Sequence, residues 1–222
     1  MNMVRDKAVI GTGMIGSAFS EARGVSGCII YAAGTANSSC TRQSEFDRDE
    51  NRLKESMLRS GTFVYISTCS VEDKPYTHHK LKMEGLVKER GNYLIVRLPN
   101  VAGRSDNPHT LLNFLSSCVH RREEFDLFTK ARRNVIDVRD VVDITNWLLR
   151  EYAANETVNV AAPFNYSVLE IVNEFEKIHR KKAVFNRIDS GDAPDIDTSR
   201  IADAPVDFSG DYLGRTLRRH YE

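Results

Sequence analysis

Short apolar runs rich in β-branched residues alternate along this chain with longer amphipathic ones, and that alternation most constrains what it can fold into. "KAVIG" (7–11), "CIIYAA" (28–33), "TFVYIS" (62–67), "YLIVRL" (93–98), "NVIDV" (134–138) and "TVNVAA" (157–162) read as strands. Several are apolar at successive positions, as strands covered by helices on both faces should be. The stretches between them predict helices near 15–22, 42–59, 76–89, 109–121, 139–153 and 167–180. In the last, Val168, Ile171, Val172, Phe175 and Ile178 recur at spacings of three and four, and Ser167 with Glu170 reads as a capping box. The pattern predicts an α/β fold around a mostly parallel sheet.

The chain has 222 residues, enough to bury a sizeable core. Basic and acidic side chains balance at 31 each, so no general positive field favours nucleic acid. "HRREEF" and "KARRN" read as a solvated face or a site for one anionic ligand. Cys28, Cys40, Cys69 and Cys118 show no paired spacing. They are expected to be reduced thiols of a cytoplasmic protein, with Cys28 and Cys118 packed as small hydrophobes. The opening "MNMVRDKAVIGTG" does not read as a signal peptide, and no stretch approaches the roughly 20 apolar residues that cross a bilayer. From about residue 186 the chain turns polar and rich in Asp and Pro, expected as extended or looped, before a final helix through "DYLGRTLRRHYE".

"VIGTGMIGSAF" sets Gly11, Gly13 and Gly16 as G-x-G-x-x-G between a strand and a helix. In that context the first glycine permits the tight turn, the second lets backbone approach a pyrophosphate, and the third lets helix and sheet pack closely. Gly11, Gly13, Met14, Ile15 and Gly16 are therefore candidate dinucleotide-binding residues; the plain alternative is a glycine turn. The acid that would hold an adenosine ribose belongs about 20 residues on, at the end of a second strand. Only "SAFSEARGVSG" separates the motif from the next strand, so the adenosine end would be held differently or loosely.

Tyr76 and Lys80 are four apart at the start of a helix, and Thr68 ends the strand just before them. Positions i and i+4 share a helix face, and a nearby ammonium lowers a phenol's pKa, which suits the pair to proton transfer. The plain alternative is a charged helix start beside a buried strand. His78 and His79 are expected at the surface, and His109, His120, His179 and His220 lack metal-ligand spacing, so no metal is expected. No G-x-S-x-G elbow supports a serine hydrolase.

"GTGMIGSAF", "IIYAAG", "FVYISTCSV", "YTHHK", "RLPNVAG" and "RRNVIDVRDVV" occur in an order that resembles the extended short-chain dehydrogenases/reductases, over about residues 7 to 165. These are NAD(P)-dependent nucleotide-sugar epimerases, dehydratases and reductases. The resemblance implies a Rossmann-like doubly wound sheet over residues 1–165, with 109–133 on the substrate side. Residues 166–222 would be cap segments, not an independent domain. It implies that Thr68, Tyr76 and Lys80 are the catalytic set, with Lys80 also on the nicotinamide ribose and Thr68 on the substrate. It places Ala32, Ala33 and Gly34 along the cofactor, Pro99 by the nicotinamide, Asn51 behind the site, and Asn100 and Arg133 on the substrate diphosphate. Cys69 and Ser70 stand where similar dehydratases carry Asp-Glu, which argues against dehydration.

The expectation is an NAD- or NADP-dependent enzyme that reduces or epimerises a nucleotide-activated sugar, for a bacterial surface polysaccharide. It would be cytoplasmic and bind neither nucleic acid nor membrane. A homodimer would form through the helices at 42–59 and 76–89, as in similar enzymes. The rival is a binding or scaffold protein that kept the fold without the catalysis.

Overall fold

The computed structural model describes residues 8–35, 37–151 and 153–222. The opening segment and Lys7 of the first expected strand lie outside the described residues. The chain forms two compact units and passes between them several times, where the sequence suggested one boundary near residue 165.

The first unit runs to Leu98 and takes in Val138–Val160 and Ser199–Val206. Its sheet has five parallel strands: β1 (Ala8–Ile10), β2 (Cys28–Tyr31), β3 (Thr62–Thr68), β4 (Tyr93–Leu98) and, counted in chain order, β9 (Glu156–Asn159). They lie side by side in that same order. Register follows the apolar pattern: Ile30 meets Val64, which meets Leu94, and all three are fully or almost fully buried. Alternation sends Ile29, Tyr31, Phe63, Tyr65 and Ile95 to one face, where they form a core with Leu53, Met83 and Val87. Those last three belong to α2 (Gln43–Met57) and α3 (Pro75–Arg90). α1 (Met14–Glu21) and α5 (Val138–Arg150) pack on each other and cover the opposite face. The fold is thus the expected Rossmann-like α/β class, with helices on both sides of the sheet.

One feature departs from a doubly wound order. The steps β1-α1-β2 and β2-α2-β3 cross the sheet in one direction, while α1 and α2 lie on opposite faces, so the two crossovers have opposite hands. Residues 22–27 join α1 to β2 directly, and β1 is paired only with β2 among the described residues.

The second unit comprises Pro99–Asp137, Ala161–Thr198 and Asp207–Glu222. β5 (Asn100–Ala102) pairs in parallel with β8 (Val135–Asp137), and β7 (Arg132–Arg133) pairs antiparallel with β10 (Tyr166–Ser167). β6 (Glu124–Phe128) pairs in parallel with β11 (Val184–Ile188). Its core joins Leu112 and Leu115 of α4 (Leu111–Arg121), Ile171 and Phe175 of α6 (Val168–His179), and Leu217 of α7 (Tyr212–Tyr221). The capping box of α6 is present, with Ser167 Oγ accepting from the Glu170 N–H and Glu170 accepting from the Ser167 N–H. The charged residues of "HRREEF", 120–124, are exposed as expected, while Phe125 and then Leu127 of β6 alternate inward. Residues 186–188 are extended, as one of the two expected forms, and close β11, where β6 supplies the backbone partners.

Candidate active site

In a parallel sheet of this kind, ligands meet the carboxyl ends of the strands. Three of the segments singled out by sequence follow such ends in the first unit: the glycine turn after β1, Ala32–Gly34 after β2, and Thr68 at the end of β3.

Gly11 has φ +124°, a conformation that strains any residue with a Cβ. The third glycine is required by contact: a Cβ on Gly16 would stand 2.2 Å from the Gly11 carbonyl oxygen. The same turn lies against β2, where the Ala32 N–H donates to the Ile10 carbonyl at 2.8 Å. Gly13 is exposed, with nothing within 4 Å of where a Cβ would point. It opens α1 without a side-chain cap and with no acid in the first turn. The turn therefore offers open N–H groups and a positive helix end, which fit a pyrophosphate. Met14 and Ile15 form the half-buried first turn of α1.

Pro75 sits at the first position of α3, where its missing N–H costs nothing and its fixed φ suits the helix. That start puts Tyr76 in the first turn, next to the end of β3. Thr68 Oγ1 accepts the Ser70 N–H at 3.1 Å and lies close enough to the Tyr76 phenol to draw its pKa down. One turn on, Lys80 is buried, its Nζ 5.9 Å from the Tyr76 ring centre and 5.2 Å from that of Tyr65. The predicted trio is assembled.

Its electrostatics differ from expectation. Burial pushes the Tyr76 phenol up to about 12, the Asp49 carboxylate adds to this, and Thr68 only partly opposes it. Lys80 does not hold the phenol down as expected. Its Nζ donates instead to the Ile66 carbonyl at 3.2 Å, and burial lowers its own pKa against the opposing pull of Asp49 and Glu84. In this arrangement Tyr76 is a neutral phenol at pH 7, the form that donates a proton.

Two further corrections concern the helices. Asn51 is exposed on α2 and does not back the site; Asp49, two residues earlier, turns inward and is 5% exposed. His78 stands at the surface, paired with Asp73 at 2.8 Å, but His79 is buried with its Nε2 3.0 Å from Asp49 Oδ2. Sequence reasoning also missed Glu84, buried on α3. It accepts from Ser67 at 2.7 Å and from both prongs of Arg97, at 2.8 and 2.6 Å. For Glu84 the available signal was an acid on the Tyr76 and Lys80 helix, four residues after Lys80 and beside Met83 and Leu86.

Residues 48–161, just over half of the chain, match the family model described as the NAD dependent epimerase/dehydratase family. The chain belongs to that family. Solved structures share the fold at low identity. RMD from Pseudomonas aeruginosa, complexed with NADPH, is 18% identical with a TM-score of 0.73, over 98% of each chain. UDP-glucuronic acid 4-epimerase from Bacillus cereus, in complex with NAD, is 20% identical with a TM-score of 0.69, over 87% of this chain and 72% of its own. UDP-glucose 4-epimerase from Thermotoga maritima, with UDP-glucose, is 18% identical with a TM-score of 0.65, over 87% and 76%. No curated protein matches the sequence.

The family match takes in Thr68, Tyr76 and Lys80, while the glycine turn lies before its start. The remaining candidates of this epimerase/dehydratase family member fall in the second unit. Pro99 is half-buried just after β4. The Asn100 side chain donates to the Asn134 carbonyl at 3.0 Å. Arg133 is held by Asp192, through an ion pair of 2.9 Å and a bond to its carbonyl at 3.2 Å. No described helix is long and apolar enough to cross a membrane.

Proposed function

We propose that this protein is an NAD(P)-dependent reductase or epimerase acting on a nucleotide-activated sugar. The observation that carries this reading is the placement of the Tyr76 phenol beside Thr68 at the end of β3, with Lys80 one turn along the same helix. That unit can deliver a proton to a ketone oxygen or take one from a hydroxyl. Tyr76 holds the proton on its phenol oxygen. Thr68, its own oxygen fixed by the Ser70 N–H, orients the same substrate oxygen. Lys80, one turn along the helix, borders the same site with its Nζ on the Ile66 carbonyl.

The glycine turn and Ala32–Gly34 fit the diphosphate side of a dinucleotide, and Lys80 its nicotinamide ribose. The nicotinamide, when bound, supplies the hydride acceptor or donor. Family membership supports this cofactor, and relatives of the same fold are named for nucleotide-sugars. 4-Keto reduction and epimerisation both fit this unit, since each moves one proton through the Tyr76 phenol. Asn100 and Arg133 remain our candidates for the substrate diphosphate, and Pro99 for the nicotinamide. A cytoplasmic role in surface polysaccharide synthesis, and a dimer through the outer faces of α2 and α3, complete the reading.

The rival, a binding protein without catalysis, draws on the short 22–27 connection, which leaves no strand to carry an adenosine-binding acid. Titration with NAD+, NADH, NADP+ and NADPH, followed by nucleotide-sugar turnover, separates the two. Binding with turnover that Tyr76→Phe abolishes supports the enzyme. A folded protein that binds none of the four supports the rival.

A further inference from the structure

Lys80 is surrounded by polar groups that the sequence reading did not assign. Asp49 enters from α2, its Oδ1 accepting from the Tyr31 hydroxyl at 2.8 Å and its Oδ2 from the Thr35 N–H at 3.1 Å. His79 closes the third side, and Phe46 stacks on the imidazole with ring centres 4.5 Å apart. A Cβ on Gly34 would come within 2.8 Å of Lys80 Nζ and 3.4 Å of Asp49 Oδ2. Ammonium and carboxylate therefore border one small space, which stays open because residue 34 has no side chain.

We propose that Asp49, clamped by Tyr31, Thr35 and His79, is a positioning residue: it is the counter-charge that keeps the buried Lys80 ammonium protonated and in place beside Tyr76. This rests on the reading of Tyr76 and Lys80 as the proton-transfer pair. An ammonium taken out of water without a partner discharges. The ionisable groups that face it are Asp49 from α2, Tyr76 and Glu84 from α3, and Tyr65 from β3; Tyr31 and His79 reach it through Asp49, and Arg97 of β4 through Glu84. Only two of these are carboxylates. Glu84 is already matched by the two-pronged Arg97 guanidinium. Among the described residues no arginine or other lysine pairs with Asp49; its direct partner is His79, and across the space at Gly34 its charge is the largest influence opposing the discharge of Lys80 that burial favours. A purely structural Asp49 would tie α2 to β2 and α3 but leave the lysine's titration alone.

The test reads Lys80 directly. In protein labelled with 13C-lysine, the Lys80 Cε signal is assigned by its loss in Lys80→Arg and followed against pH without cofactor or substrate. The midpoint is expected to fall by about two pH units in Asp49→Asn and to return most of the way in Asp49→Glu. An unchanged midpoint in folded Asp49→Asn overturns the proposal. If Asp49→Asn does not fold, the double variant with Lys80→Met decides: recovered folding supports a charge pair, and continued failure overturns it. Because no turnover is measured, either result is separate from whether Tyr76 proves catalytic.

Discussion

Tyr76 and Lys80 stand one helical turn apart on α3, yet Lys80 turns its Nζ to the Ile66 carbonyl, 3.2 Å away, and lies 5.9 Å from the Tyr76 ring centre. The proton in play is therefore held on Tyr76. Tyr76→Phe keeps the ring and its packing while removing that proton. Turnover of a nucleotide-sugar substrate should fall by roughly 100-fold or more. The Kd for dinucleotide should stay within about twofold, because uniform binding does not depend on the phenol oxygen. Steady-state kinetics beside a fluorescence titration check both; retained turnover would remove Tyr76 from the mechanism.

Alkaline pH should loosen the first unit. Burial raises the phenols of Tyr31, Tyr65 and Tyr76, the last to about 12, above the value of about 10 expected in the unfolded chain. A folded pKa above the unfolded one gives stability that is complete below pH 10 and lost as pH rises toward 12. Urea midpoints should hold between pH 7 and 9 and decline from about pH 10. The phenolate absorbance of wild type minus Tyr76→Phe should place the ionisation of Tyr76 above about pH 11. Ionisation of Tyr76 near pH 8 in the folded, cofactor-free protein would contradict the site's electrostatics.

Glu84 ties the helix carrying Tyr76 to β3 and β4, through Ser67 and Arg97. Its side chain is 2% exposed, so Glu84→Gln would leave the Arg97 guanidinium without its carboxylate. Because the Arg97 side chain is 31% exposed, breaking the pair should cost about 1–3 kcal/mol, less than for a fully buried one. Thermal or urea unfolding of the variant should show that loss, and a change below about 0.5 kcal/mol would mean that solvent replaces the pair.

The cofactor's adenosine end gives a prediction about selectivity. In dinucleotide folds an acid at the end of a second strand binds the ribose 2′-hydroxyl and so disfavours a 2′-phosphate. Residues 22–27 link α1 straight to β2 and hold no such strand. NAD+ and NADP+ should then bind with Kd values within about fivefold of each other, or less than about 1 kcal/mol. A hundredfold preference for either form would show that another segment reads that ribose.

Much of the fold was legible because its signals are local. "FVYIST" and "YLIVRL" are buried strands in almost any parallel sheet, and the spacing in 168–178 with Ser167 and Glu170 specifies a helix and its start. β6 was harder: its two inward residues, Phe125 and Leu127, are separated by the charged Asp126 and preceded by "HRREE". Only pairing with β11, about 60 residues further on, makes it a strand. The Thr68, Tyr76 and Lys80 set was legible from spacing and motif order. What surrounds it was not: Asn51 and Asp49 sit two apart on one helix, and about 200° of helical rotation decides which faces the core.

By itself the sequence determined the class of fold, the glycine turn and the proximity of Tyr76 to the end of β3, because each depends on residues within a few turns of one another. The tertiary structure decided the charge state of the site. Tyr76 lies high because it is buried near Asp49, Lys80 is directed to Ile66, and His79 is enclosed between Phe46 and Asp49. Desolvation and buried charge are set by groups brought together from α2, α3, β2 and β3, and no local reading of spacing contains them.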